Sequence, residues 1–94
     1  HMQTPKSDPK TLGAKLRKLR QRRDLSLDQV AALMRDSYGL KRTRQNLHQH
    51  EQGVRVPSSV AVGGYCRVYD LNTEESQELF TLAGYVVVFA VEEA

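Results

Sequence analysis

Apolar residues recur at helical spacing through most of this chain, and the pattern changes only near its C-terminal end. Between Thr11 and Arg23, Leu12, Leu16 and Leu19 fall at i, i+4 and i+7, a narrow stripe that predicts a first helix, with Asp8 or Thr11 able to cap its start. Asp24-Leu25 breaks the run. Ser26 is an N-cap for a second helix from Leu27, whose inner face is Val30, Ala31 and Met34. Gly39, within Asp36 to Arg42, marks the next turn. Thr43 can cap a third helix, Arg44 to Glu51, and Gly53 just beyond it tolerates a left-handed conformation. Pro57 with Ser58 or Ser59 opens a fourth helix towards Tyr69. Its Gly63-Gly64 pair costs about 1 kcal/mol per residue against alanine, so close packing is expected there. Asn72 followed by Glu75 fits a capping box for a fifth helix ending near Ala83-Gly84.

The segment Tyr85 to Val91 is β-branched and aromatic, and reads as an extended strand. A lone strand has unpaired backbone groups, and no other segment here resembles one. Antiparallel pairing with a second copy, through Tyr85, Val87, Phe89 and Val91, is the economical solution. Folding back as core, or continuing helix five, is the other. The expected organisation is therefore an all-α, five-helix domain over residues 11–84. Residues 1–10 form a flexible arm whose first two residues read as a vector remnant, and the apolar segment 85–94 serves self-association.

Ninety-four residues suit one domain with a modest core. The net charge of +3 hides an asymmetry. Residues 1–57 hold 13 of the 14 Lys and Arg and five of the 11 acids, a net +8, whereas residues 58–94 hold Arg67 and six acids, a net −5. A basic half beside an acidic half suits a protein that docks one face on a polyanion. The cations of helix one (Lys15, Arg17, Lys18, Arg22, Arg23) point to phosphate rather than to lipid, since the apolar stripe is narrow and has no Trp or Phe. No apolar run reaches the roughly 18 residues of a membrane span. The single cysteine, Cys66, fits a reducing cytoplasm. Neither metal nor cofactor is expected, because no His or Cys cluster has ligand spacing. His48, His50 and Glu51 share one short helix without a converging nucleophile, so no enzyme is expected.

Two helices joined by a turn, beside a basic first helix, can offer one helix to a groove. The stretches Leu12-Gly13-Ala14-Lys15-Leu16-Arg17-Lys18-Leu19-Arg20, Leu25-Ser26-Leu27-Asp28-Gln29-Val30-Ala31 and Thr43-Arg44-Gln45-Asn46-Leu47-His48-Gln49-His50-Glu51-Gln52-Gly53, then Pro57-Ser58, resemble the phage repressor and Cro-like (XRE-type) helix-turn-helix family over about Leu12 to Leu71. The resemblance implies a salt bridge between Arg20 and Glu51, a small residue at Ala31 and an inward Leu47. It implies base contacts from Arg44, Gln45 and Gln49, bordered by Asn46 and His48. Their chemistry suits that role, since Arg matches guanine and Gln matches adenine in the major groove. It implies phosphate contacts near Thr43, Arg55, Ser58 and Ser59, to which Arg17 on helix one and Lys41 and Arg42 on the loop can add.

Three positions depart from the family pattern. Leu27 stands where the family usually has a phosphate-binding Gln. The connection after helix two is about six residues longer than a tight turn, so helix two should gain a turn to about Ser37, with Tyr38 to Arg42 as loop. His50 occupies a usually apolar inward position and is expected to be a satisfied core histidine. The resemblance implies a sequence-specific transcriptional regulator, a repressor, binding double-stranded DNA as a homodimer in the cytoplasm. The alternative is a protein-interaction adaptor on the same scaffold, which Leu27, the insertion and the apolar C-terminal segment favour. RNA is disfavoured for lack of stacking aromatics on a basic sheet.

Overall fold

The narrow leucine stripe of the first helix is wholly withdrawn from water: Leu12, Leu16 and Leu19 are at most 2 % exposed. A computed structural model describes residues 6–86 of the protein as five helices, with no strand among those residues. They are α1 (Pro9–Arg22), α2 (Leu27–Tyr38), α3 (Arg44–Gln52), α4 (Ser59–Val68) and α5 (Thr73–Leu82). Val30 and Met34 of α2, Leu47 of α3, Val62 and Tyr65 of α4, Tyr69 just after it, and Leu79 of α5 complete one core around that stripe. α1 rests on α3 and α5, while α2 rests on α3 and α4.

Local chemistry sets the helix boundaries. Asp8 accepts from the Thr11 amide and Pro9 opens α1 at the position where a missing N–H costs nothing. The Asp8 amide also donates to Leu82 O at 2.7 Å, so residues 8–10 belong to the domain and the expected arm ends before them. Capping boxes start α2 (Ser26 and Gln29), α3 (Thr43 and Asn46) and α5 (Asn72 and Glu75). α2 runs one residue further than expected, to Tyr38, and Gly39 ends it at φ 66°.

The inserted loop after α2 is held by one apolar contact. The Leu40 amide donates to Met34 O at 2.9 Å, and its side chain lies where a Cβ on Gly64 would be only 2.6 Å away. The close packing expected of the glycine pair is thus confined to Gly64, because nothing lies within 4 Å of a Cβ built on Gly63. At the other end, Tyr85 packs against the domain's own core and its hydroxyl donates to Pro57 O at 2.9 Å. Tyr85 therefore serves its own chain, as in the fold-back alternative. Val87, Phe89 and Val91 lie outside the described residues, as does most of the expected extended segment.

The contact between α1 and α3 is the most extensive between helices of the fold. A Cβ on Gly13 would sit 2.4 Å from Glu51 O and 2.7 Å from His50 O, so the two backbones all but touch there. Two α1 turns further, Arg20 grips Glu51 with two hydrogen bonds, Nε to Oε2 at 2.7 Å and Nη2 to Oε1 at 2.9 Å, while Nη1 donates to Leu25 O. The Glu51 side chain is 6 % exposed, so its charge depends on this partner. Removing Arg20 while keeping the acid strands a buried carboxylate. We expect Arg20→Ala to lower the unfolding free energy by about 3–5 kcal/mol, read by urea titration. A loss below about 1 kcal/mol would mean that the pair behaves as a solvated surface contact.

Candidate nucleic-acid interface

α3 divides cleanly by register. Leu47 and His50, three residues apart, are buried, whereas Arg44, Gln45, His48 and Gln52 are exposed and Gln49 is half-buried. The outward set follows from the helical period once Leu47 is committed to the core, since residues four apart share a face. Arg44, Gln45, His48, Gln49, Gln52 and Val54 line one open depression of about 430 Å³. No residue of the 36–42 segment lines it, because Leu40 draws that loop towards α4. Arg44 Nε lies 3.8 Å from Asp28 Oδ1, both well exposed, which tethers the guanidinium only loosely.

A second depression of about 400 Å³ flanks the first and is strongly cationic. Lys41, Arg42, Asn46, His50, Arg55, Val56 and Ser58 line it. Arg42 donates to Lys41 O at 3.0 Å and, more loosely, to Ser58 Oγ at 3.4 Å. Ser58 Oγ also caps α4 by accepting from the Ala61 amide, so the positive end of that helix faces the same basin.

The fold thus sorts the expected residues into two groups. Arg44, Gln45, His48 and Gln49 are brought together around the first depression, and Lys41, Arg42, Arg55 and Ser58 around the second. Asn46 joins the cationic group rather than the outward row of α3, and its Oδ1 accepts from the Thr43 amide. Thr43 is exposed, with its oxygen accepting from the Asn46 amide and its O–H still free to donate. Ser59 is exposed at the first position of α4 but lines neither depression. Arg17 is exposed four residues after Gly13 and three before Arg20, on the flank of α1 that turns to α3.

One expectation is revised. The cations of α1 do not form one free stripe: Lys15 pairs with Glu78, Arg22 with Glu75, and Arg23 donates to Tyr69 O. Part of the charge asymmetry is therefore neutralised between α1 and α5. Leu27 is half-buried against the core and is followed by exposed Asp28, so position 27 itself offers phosphate no donor side chain. Sequence reasoning missed Gln52, Val54 and Asp28 around the first depression. A period of four from His48 would have found Gln52, whereas nothing in the sequence pointed to the other two.

Among the described residues no group of three or more His, Cys, Asp or Glu converges as a metal site, and no helix is long and apolar enough to cross a membrane. Cys66 is half-buried, and burial pushes its thiol up, away from a reactive thiolate. A sequence model of the helix-turn-helix domain family matches residues 11–79, from α1 into α5. Comparison with curated proteins and with solved structures gives no match.

His50 is where the core meets the cationic basin. It is 7 % exposed, and its Nδ1 shares a 2.8 Å hydrogen bond with the Tyr65 hydroxyl. Burial first, then the positive charges of Arg42 and Arg55, lower its pKa to about 4. In the unfolded chain the imidazole takes up a proton below about pH 6.5. Between those values the unfolded state binds more protons, so acidification from about 6.5 towards 4 destabilises the fold, and the effect levels off below. The full shift corresponds to about 3 kcal/mol. Urea titrations of the wild type and His50→Gln from about pH 7 to 4 should converge in stability by about that amount. Parallel curves would mean that His50 titrates normally in the folded chain.

Proposed function

The chain belongs to the helix-turn-helix domain family, and on that premise we propose that it is a sequence-specific DNA-binding transcriptional regulator, a repressor, that seats α3 in the major groove. The observation that carries this reading is the pairing of surfaces on α3: an open row of Arg44, Gln45, His48 and Gln49 beside a basin holding Lys41, Arg42 and Arg55. Such a row offers the bidentate donors and acceptors that distinguish guanine and adenine, and the basin offers charge to the sugar-phosphate backbone.

The roles divide accordingly. Arg44 exchanges its loose Asp28 partner for guanine O6 and N7, and Gln45 and Gln49 address adenine. Lys41, Arg42, Arg55 and Ser58 take phosphates, with Thr43, Ser59 and Arg17 at the margins. The basin replaces the phosphate contact that Leu27 cannot make, and Asp28 keeps the backbone away from the start of α2. Binding as a homodimer to a palindromic operator in the cytoplasm completes the proposal, with Val87, Phe89 and Val91 as the candidate self-association residues. Two features that favoured a protein-interaction adaptor have roles in the fold instead: Leu27 packs on the core, and the insertion is anchored through Leu40.

Mobility shifts on a preferred and a random duplex, at two salt concentrations, separate these roles. Arg44→Ala and Gln45→Ala should each cost about 1–3 kcal/mol on the preferred duplex and change little on the random one. Lys41→Ala and Arg55→Ala should weaken both duplexes alike, and each should flatten the logarithmic salt slope by about 0.9. Equal losses on both duplexes for the α3 variants would refute base reading by those side chains.

A further inference from the structure

Val54 is the most exposed of the large apolar residues among those described, at 66 %. It is nevertheless held firmly. Gly53 ends α3 at φ 73°, its amide donates to His50 O at 3.2 Å, and the Val54 amide donates to Gln49 O at 3.1 Å. This pair of bonds fixes the residue after the glycine on the end of the helix. An apolar side chain at that place ordinarily leans on the helix residue five or six positions earlier. Here those residues are Gln49 and His48, which are polar and turned to the first depression, so neither gives the valine an apolar partner. Its branched side chain stands bare at the C-terminal end of the row formed by Gln45, His48, Gln49 and Gln52.

The row beside it is otherwise polar, and DNA presents one apolar handle in the major groove, the thymine C5-methyl group. A β-branched side chain has little rotamer freedom to lose on contact and is already positioned by the backbone. We infer that Val54 is a specificity-determining residue of the interface, selecting thymine by packing its isopropyl group on the C5-methyl at one position of each half-site. The inference rests on the reading of α3 as the helix that contacts bases.

The test uses the full chain and a duplex enriched by it from a random pool, with each thymine replaced in turn by deoxyuridine, which lacks only that methyl. One replacement per half-site should weaken wild-type binding about fourfold, the worth of one buried methyl. Val54→Ala should bind the unmodified duplex several-fold more weakly and be indifferent to that same replacement. Val54→Thr, which keeps the branched shape and one methyl, should fall between them. Equal sensitivity of wild type and Val54→Ala at every thymine, or an enriched motif without thymine, overturns the role of Val54 and leaves α3 as reader. Enrichment of no motif at all overturns the reading of α3 and this inference with it.

Discussion

The ion pair between Arg20 and Glu51 is the constraint on which the placement of α3 depends. Gly13 lets the backbones of α1 and α3 touch, and the two-point grip of Arg20 two turns further along α1 fixes the rotation of α3 about its own axis. A buried pair of this kind adds little net stability, because desolvation offsets most of its attraction. Its value is geometric. If α3 rolled, Glu51 would lose both hydrogen bonds inside the protein. With the roll fixed, Leu47 and His50 must face inward, and Arg44, Gln45 and His48 must face out.

Charge is then used twice. The acids of α5 draw Lys15 and Arg22 against the domain's own flank, where they support the packing of α1 on α5. The cations after α2 and α3 have no acidic partner among the described residues and gather with the start of α4 into one basin. The buried imidazole of His50 sits between that basin and the tyrosines of the core, and stays neutral because a proton there would face both burial and two arginines. The residues that hold α3 and the residues that surround its outward face thus belong to one connected structure.

Much of this was legible in the sequence because the relevant signals are local. Ser26, Thr43 and Asn72 each announce a helix start through a side chain that bonds an amide three residues on, and Gly39 and Gly53 mark helix ends by tolerating left-handed backbone. The outward row on α3 follows from its period. What was not legible is tertiary. That Lys15 and Arg22 meet α5 depends on which helices become neighbours, as does the choice of Gly64 rather than Gly63 for the close contact with Leu40. Asn46 lies on the same helix as the outward row, but its Oδ1 caps the Thr43 amide and its side chain turns to the basin, a placement that sequence spacing does not reveal. Val54 lies past the end of the periodic stretch, where register carries no information about direction. The segment after Val86 lies beyond the described residues, so the strand-like composition there stands as a sequence expectation.

The central claim is that a rigidly held α3 presents base-reading side chains. It is tested most directly by sequencing the duplexes that the full chain retains from a randomised DNA library at moderate salt. The account predicts convergence on a short motif with guanine and adenine at defined positions, repeated with inverted symmetry. Retention that is salt-sensitive but leaves the library unenriched would contradict it, since the basin alone would then be binding DNA.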